Sequence, residues 1–289
     1  MDFLQPTTWR EALEMKAEHR DATPIAGGTD VMVEINLDHR RPAVLMDLNR
    51  VRELTEWGFV GGLLRVGAGV TYTRIIEEMG QYVPGLAIAS RTVGSPQIRN
   101  RGTVGGNLGT SSPAGDAHPP LLASQGWVEL ASTSGARRVP VREFFVGPKK
   151  NAMRDDELVA AFLVDPARGG QGGQGGHGGQ QFAKVGTRNA MVIAVCSFAI
   201  SIDAEHRRVG TGIGSAGPTP LAATEAEKFI AGELDWDNRK APSAATLERF
   251  GTLVAAAAKP INDVRGTAEY RRHALAVMAR RCLTWAWAA

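Results

Sequence analysis

Two short glycine-rich segments have the residue types that could hold phosphate groups. The first, AGGTD, spans residues 26–30, and the second, TVGGN, spans residues 103–107. A glycine pair lets successive backbone N–H groups turn toward one point with no Cβ in the way, and such a turn binds phosphate without a lysine. Hydroxyl or amide hydrogen bonds could be added by Thr29, Thr103, Asn107 and Ser111. Two such turns suit a ligand with two phosphates, and a pair of ordinary turns is an equally good interpretation of these residues alone.

A third glycine segment matches the dinucleotide-binding pattern G-x-G-x-x-G but lacks its context. Gly212, Gly214 and Gly217 lie in GTGIGSAGPTP, where two prolines delay the next helix. The dinucleotide pattern requires a strand that leads directly into a helix, with free amides at the helix start. We therefore interpret this segment as the end of a strand followed by a turn.

The second glycine pair lies within a longer polar stretch, IRNRGTVGGNLGTSSPAGDAHPP, which spans residues 98–120. It offers no periodic apolar face, so the sequence predicts a loop. Asp116 in this stretch suits the N-cap of the helix that the sequence DAHPPLLASQG predicts. His118 has no second metal ligand near it in the sequence, so we interpret it as structural.

The composition excludes several classes of protein. The 289 residues are 43% apolar and 22% charged, with a net charge of +3 and scattered arginines, which argues against a nucleic-acid-binding protein. The N-terminal stretch has no apolar core typical of a signal peptide, and no apolar run is long enough to cross a bilayer, so we expect a cytoplasmic protein with no membrane span. Cys196 and Cys282 are the only cysteines, and we expect reduced, buried thiols. Two cysteines cannot hold an iron–sulfur cluster, which takes four ligands.

The pattern of elements predicts an α+β protein in four segments. Thr8 and Glu11 have the capping-box spacing, which predicts a helix followed by a strand, the first glycine turn, a second helical segment and a strand in AVLMDL. Mixed strands and helices follow. The sequence RGGQGGQGGHGGQ cannot pack and predicts a flexible loop, in which the lone His177 is a solvated side chain. The predicted segments are residues 1–55, 56–167, 168–180 and 181–289.

The last segment predicts a strand hairpin followed by three helices. The hairpin comprises MVIAVCSFAISID and RRVGTGIGSAG. In the final helix, six residues fall on one apolar face that we interpret as core. These residues are Tyr270, Ala274, Val277, Met278, Cys282 and Trp285.

Three stretches of this chain resemble the FAD-binding medium subunits of the molybdenum hydroxylases. They are PIAGGTDVMVEIN, SPQIRNRGTVGGNLGTSSPAGDAHPPLLA and DVRGTAEYRRHALAVMARR, in the order in which that family has them. The family includes xanthine dehydrogenase and aerobic carbon monoxide dehydrogenase, and the likeness is greatest to bacterial xanthine dehydrogenase FAD subunits. The resemblance implies a two-subdomain FAD-binding domain of the PCMH type, followed by a C-terminal domain with a small antiparallel sheet and helices.

The resemblance also implies roles for individual residues. The segment from Ile25 to Val31 would wrap one side of the FAD diphosphate, and Thr103 to Asn107 the other. Asp116 would hold the ribityl or adenosine end, and Lys184 would lie near the isoalloxazine, although a strand-edge lysine is an alternative for it. The implied FAD contacts are Ile25, Ala26, Gly27, Gly28, Thr29, Asp30, Val31, Val93, Thr103, Val104, Gly105, Gly106, Asn107, Ser111, Asp116, Val159 and Lys184, and no metal ligand is implied.

The function that the resemblance implies is electron transfer within a larger oxidoreductase. A large molybdopterin subunit would oxidise the substrate, xanthine in the favoured case, and a small subunit with [2Fe–2S] clusters would pass electrons to FAD. NAD⁺ or another acceptor would then receive them, in a dimer of heterotrimers. The alternatives are a medium subunit of a carbon monoxide or aldehyde dehydrogenase, a stand-alone flavin oxidase, and a flavin-free assembly subunit.

Overall fold

A computed structural model describes residues 1–166, 179–189 and 191–289. The predicted glycine-rich loop at 168–180, with His177, lies almost entirely outside these residues. The described chain is α+β, as predicted, with three sheets of three or more strands that use successive parts of the sequence.

The first sheet is parallel and small. Strands β1 (Asp2–Leu4) and β2 (Thr23–Ile25) both pair with β3 (Val44–Asp47), which gives the order β1-β3-β2. Helix α1 (Trp9–Glu18) begins after Thr8, whose hydroxyl accepts a hydrogen bond from the amide of Glu11 at 3.2 Å, as the capping-box spacing predicts. Helix α2 is Val31–Asn36. Because the strands are parallel, their carboxyl ends share one edge, and the first glycine turn leaves the sheet from that edge.

The second sheet is antiparallel and has the strand order β4-β5-β10-β6-β7. Its strands are β4 (Trp57–Val60), β5 (Leu63–Gly67), β6 (Trp127–Ser132), β7 (Gly135–Pro140) and β10 (Leu158–Val164). Every residue of the central strand β10 is buried, which explains its continuous apolar sequence LVAAFLV. A small hairpin, β8 (Phe145–Gly147) with β9 (Lys150–Asn151), precedes β10.

Six helices lie between β5 and β10 in the sequence. They are α3 (Tyr72–Glu78), α4 (Pro84–Arg91), α5 (Pro96–Arg101), α6 (Val104–Thr110), α7 (His118–Ala123) and α8 (Val141–Phe144).

The prediction of a loop over residues 98–120 is wrong for the end of α5 and for all of α6, whereas the helix predicted from DAHPPLLASQG is present as α7. Glycines weaken a helix, but Thr103 caps α6 by accepting the amide proton of Gly106 at 2.8 Å. The buried side chains of Val104 and Leu108 anchor the helix to the core. Tertiary packing thus outweighs the low helix propensity of the sequence VGGNLGT.

The third sheet is antiparallel and lies in the C-terminal part. Its strands are β11 (Gln180–Val185), β12 (Cys196–Asp203) and β13 (Arg208–Gly214), in that order, followed by helices α9 (Thr224–Glu233), α10 (Ala244–Ala257) and α11 (Ala268–Ala288). The strand-and-turn interpretation of the G-x-G-x-x-G segment is confirmed, because Gly212 and Gly214 lie in β13. A Cβ at Gly212 would lie 2.0 Å from the carbonyl oxygen of Pro119, so this glycine lets α7 pack closely against the sheet.

The predicted core face of α11 is only partly correct. Ala274, Met278 and Cys282 are buried, but Tyr270 is 49% exposed and Trp285 is 50% exposed. Helix α11 packs against both α10 and β12. Because it has contacts on two sides, its buried residues lie on a different part of the helix surface from the predicted apolar face. The stripe also includes Leu275, Ala279, Leu283 and Ala286.

Both cysteines are buried and unpaired, as predicted. Burial raises the pKa of the Cys196 and Cys282 thiols to about 12, so neither forms a thiolate near neutral pH. Among the described residues, no helix is both long enough and apolar enough to span a membrane.

Candidate functional site

A cavity of about 740 Å³ lies between the first and second sheets. Its walls come from the glycine turn after β2, the residues after β5, the N-terminal part of α6 and the start of β10. The carboxyl ends of β2 and β5 thus deliver loops to the same space. Of the described residues, those that line the cavity include neither a histidine nor a cysteine.

The first wall is the turn from Ala26 to Asp30. The turn needs glycine at position 28, where the φ angle is +76°. The amides of Gly27, Gly28, Thr29 and Asp30 form no hydrogen bond with an acceptor in the described chain. Consecutive unpaired amides beside a cavity form a concave site suited to an anion.

The second wall is the start of α6, and its two glycines have different roles. A Cβ at Gly105 would lie 2.4 Å from the Cβ and carbonyl oxygen of Ala68, so Gly105 permits close packing against the end of β5. A Cβ at Gly106 would meet only the Thr103 hydroxyl, at 3.1 Å. Neither glycine has a positive φ, so neither position is restricted to glycine by a left-handed backbone conformation. The amide of Gly105 has no acceptor within the described ranges, whereas that of Val104 belongs to the antiparallel bridge between Thr71 and Thr103.

The first glycine turn packs against the chain just before the second glycine segment. A Cβ at Gly27 would lie 2.0 Å from the carbonyl oxygen of Arg101, the last residue of α5. The side chains of Thr110 and Asp30 join the walls farther along, where the Thr110 hydroxyl donates to the Asp30 carboxylate at 3.1 Å. The cavity is therefore a cleft between two chain segments about 75 residues apart in sequence.

Most of the predicted site residues line this cleft. They are Ala26, Gly27, Gly28, Thr29, Asp30, Val31, Val93, Thr103, Gly105, Gly106, Asn107 and Val159. Five others lie behind the lining. They are Ile25, Val104, Ser111, Asp116 and Lys184.

Asp116 and Lys184 form a buried ion pair. The Lys184 ammonium donates to the Asp116 carboxylate at 2.5 Å and to the Thr92 carbonyl oxygen at 3.1 Å. Lys184 is therefore not an exposed strand-edge lysine, and its side chain is 8% exposed. Asp116 does not cap α7, whose N-cap is Ala117. Burial raises the pKa of the Asp116 carboxyl, and Lys184 and Thr92 oppose that change.

His118 is fully buried behind Asn107, in agreement with a structural role. Its ring Nε2–H donates to the carbonyl oxygen of Asn107 at 3.1 Å, and its ring lies 4.5 Å from that of Phe145. Burial lowers the pKa of His118 to about 4, so the imidazole is neutral at physiological pH. Asn107 Oδ1 is buried beside this ring without a hydrogen-bond partner in the described chain. A buried acceptor with no partner is expected where a ligand donates to it.

Several cleft residues could not be identified from the sequence. The largest missed group is the segment after β5, which includes Ala68, Gly69, Thr71 and Tyr72. The glycines that close the strand LLRVGAGV were the available signal, but they indicate only a turn. Lys149 and Asn151 were also missed, because they approach the cleft through the β8–β9 hairpin.

Two family models match successive parts of the chain. Residues 1–165 match the FAD binding domain in molybdopterin dehydrogenase, and residues 181–286 match the CO dehydrogenase flavoprotein C-terminal domain. Among solved structures, carbon monoxide dehydrogenase from Hydrogenophaga pseudoflava has a TM-score of 0.88 at 25% identity, over 100% of this chain and 97% of that chain. Fold and cleft together define an FAD-binding subunit of an oxidoreductase.

Curated relatives give the same family. The nicotinate dehydrogenase FAD-subunit of Eubacterium barkeri is 32% identical over 80% of this chain and 79% of its own length. The xanthine dehydrogenase FAD-binding subunit of Escherichia coli O157:H7 is 29% identical over 99% of this chain and 96% of its own length. The chain belongs to the FAD-binding medium subunits of the molybdenum hydroxylase family, and its cofactor is FAD.

The residues of the cleft fit this cofactor. Unpaired amides on both walls suit a diphosphate, and the unpartnered Asn107 Oδ1 suits a hydroxyl or amino donor. The cavity volume also lies in the range typical of cofactor sites.

Proposed function

We propose that this chain carries FAD as the electron-transfer subunit of a molybdenum hydroxylase complex. One observation supports this most strongly: the unpaired amides of the turn at 26–30 and the unpaired amide of Gly105 at the start of α6 lie on opposite walls of one cleft. A diphosphate between them would accept hydrogen bonds from both walls. In this proposal, Val93 and Val159 provide apolar surface for the rings of FAD.

The residues behind the lining act on the cleft indirectly in this proposal. Ile25 ends β2 just before the first glycine turn, and Val104 buries the start of α6. The Ser111 hydroxyl accepts from the Asn151 amide at 3.1 Å, and Asn151 lines the cleft. The Asp116–Lys184 pair fixes Thr92, next to Val93, and so shapes the flavin end.

The electrons must come from another subunit. FAD, when bound, can exchange electrons one at a time or in pairs, whereas the two cysteines of this chain are too few for an iron–sulfur cluster. We therefore propose a large molybdopterin subunit that oxidises the substrate and a small subunit whose [2Fe–2S] clusters reduce the flavin. NAD⁺ is the proposed final acceptor, in a dimer of heterotrimers.

We propose a purine, with xanthine as the first candidate, as the substrate of the complex. The support is the similarity to the Escherichia coli O157:H7 subunit, which extends over nearly the full length of both chains. A carbon monoxide or aldehyde dehydrogenase complex is the alternative, supported by the similarity to the Hydrogenophaga pseudoflava structure.

Purification of the tagged chain from its native host, with identification of the chains that accompany it, tests this proposal. The expected result is a complex with molybdenum, iron and FAD that reduces NAD⁺ with xanthine and does not oxidise carbon monoxide. The isolated chain should retain FAD and oxidise none of these substrates. Substrate oxidation by the isolated chain would instead identify a stand-alone flavin oxidase.

Acid denaturation of the isolated chain tests how the flavin is held. The cysteines lie in the C-terminal core, away from the cleft, so FAD should be released without a covalent link. Chromatography of the supernatant should give FAD. FMN, or flavin that stays with the precipitated protein, would contradict the proposed diphosphate site, and a purified chain with no flavin would indicate an assembly subunit.

A further inference from the structure

Tyr72 lies at the junction of the two cleft walls. It is the first residue of α3, it is 3% exposed, and its amide donates to the Gly102 carbonyl oxygen at 3.0 Å. Its ring also packs on Gly102, where a Cβ would lie 3.3 Å from ring atoms Cδ2 and Cε2. Gly102 lies between Arg101, which contacts Gly27, and Thr103, which caps α6. The ring therefore supports both glycine segments from one side.

The hydroxyl of Tyr72 has no hydrogen-bond partner among the residues that the structure describes, although Tyr72 lines the cleft. The hydroxyl is not one of the fully enclosed unpartnered groups, so it is open to the cleft, where a bound ligand can accept its proton. This hydroxyl makes no hydrogen bond to Asp30 or Asp116, although Oδ1 of Asp116 has no partner in the described chain. Asp30 accepts from Thr110, and Asp116 accepts from Lys184 and Thr92.

The protonation state of Tyr72 makes it a donor. Burial, with smaller contributions from the negative charges of Asp116 and Asp30, holds the pKa of the phenol well above its ordinary value. The phenol is therefore neutral throughout the physiological range and carries an O–H that can be donated. A neutral donor can form a hydrogen bond to an anionic ligand without bringing a further charge into the cleft.

We propose that Tyr72 is an FAD-binding residue whose phenol O–H donates to an oxygen of the bound cofactor, next to the two glycine segments. This inference rests on the proposed position of FAD in the cleft and adds a contact that the glycine patterns do not contain. The ring holds the backbone of both walls, and the hydroxyl binds the ligand between them.

The variant Tyr72→Phe tests the hydroxyl, because it keeps the ring that packs on Gly102. The matched control is Tyr82→Phe, since the Tyr82 ring packs with Trp57 and Phe59 and does not line the cleft. Each full-length variant is stripped of flavin and titrated with FAD by flavin fluorescence, and the melting temperature of each flavin-free form is recorded. We expect the Kd for FAD to rise about tenfold in Tyr72→Phe, as for the loss of one hydrogen bond to a charged acceptor, and to change less than about twofold in Tyr82→Phe.

The melting temperature of each flavin-free variant distinguishes a loss of affinity for FAD from a loss of folding stability. The flavin-free Tyr72→Phe protein should melt within about 2 °C of the wild type, since no protein hydrogen bond is lost. An unchanged Kd for FAD in Tyr72→Phe would overturn the assignment of Tyr72, as would equal losses of affinity in both variants. If the wild-type chain itself takes up no FAD, the proposed cleft fails, and that outcome is distinct from a failure of Tyr72 alone.

Discussion

At the scale of single residues, His118 makes stability depend on pH. Its pKa is about 4 in the folded chain and about 6.5 when unfolded, so the unfolded chain binds a proton more readily between these values. Stability should therefore be fully present above about pH 6.5 and fall as the pH is lowered through this window. The loss from this one group reaches about 3 kcal/mol by pH 4.

Urea unfolding across this pH range measures the effect. The control is His118→Gln, in which the amide can still donate to the Asn107 carbonyl but does not titrate. The difference in unfolding free energy between wild type and variant should shrink steadily from pH 7 to pH 4. A difference that stays constant with pH would mean that His118 does not carry this dependence.

The ion pair of Asp116 and Lys184 should resist removal of either partner. Asp116→Asn leaves a buried ammonium without its charge partner, and we expect it to destabilise the fold by about 3 to 5 kcal/mol. The double variant Asp116→Leu with Lys184→Met should recover much of this loss, because both charges are removed together.

An exposed ion pair provides the comparison. Arg10 and Glu14 are 87% and 52% exposed, and Glu14→Gln should cost less than about 1 kcal/mol. The denaturant midpoints of all these variants measure these losses of stability. If the losses of stability from removing the Asp116 charge and from removing the Lys184 charge simply add, the two charges are not coupled.

At the scale of elements, the glycines of α6 should respond differently to alanine. Gly105→Ala places a methyl group against the backbone of Ala68 and should lower the melting temperature of the flavin-free chain by several degrees. Gly109→Ala meets no atom within 4 Å and should keep or raise that temperature, because alanine favours the helix by about 1 kcal/mol.

The flavin content of the two alanine variants distinguishes a role in helix packing from a role in binding FAD. Gly109 also lines the cleft, so its alanine variant should be a stable protein that binds FAD more weakly. If Gly105→Ala is as stable as the wild type, the close packing of α6 on β5 is not required.

The elements themselves were largely predictable from the sequence. The helix after Thr8, the strand–turn–helix around the first glycine pair and the hairpin of β12 and β13 were recognised from caps, apolar runs and turn residues. Helix α6 was missed because its stability comes from burial of Val104 and Leu108 and not from its composition. Strand β1 was missed because three residues are too few for a period-2 pattern.

The candidate site was predictable only in part. The glycine pairs indicated phosphate contacts, and the family resemblance added Val93 and Val159 at the cleft. Contacts between distant residues, such as Gly27 with Arg101 and Gly105 with Ala68, depend on tertiary packing that no local pattern encodes. For the same reason Tyr72 could not be recognised as a cleft residue. The division at residues 55, 167 and 180 remains a prediction.

At the scale of the whole molecule, Glu227 should couple the C-terminal part to the rest of the fold. This buried carboxylate accepts hydrogen bonds from Arg142 Nη2, from the Thr211 amide and from the Thr211 hydroxyl, all within 2.8 Å. Glu227→Ala should destabilise the chain by about 3 kcal/mol, because it leaves buried donors without an acceptor.

Calorimetry of Glu227→Ala should also show a broader transition, since Arg142 belongs to α8 and Glu227 to α9. The control is Glu225→Ala in the same helix, an exposed residue that pairs with Lys228 and should change stability by less than about 0.5 kcal/mol. Equal effects of the two substitutions would rule out a special role for Glu227.

The late position of β10 in the sequence has a consequence for synthesis on the ribosome. Residues 158–164 form the strand that joins β5, made almost a hundred residues earlier, to β6. Until they emerge, the nascent chain has two separate hairpins with unpaired inner edges, which are prone to associate with other chains. Leu158 and Val159 also complete the cleft, so FAD can be captured in its finished site only after this strand has left the ribosomal tunnel.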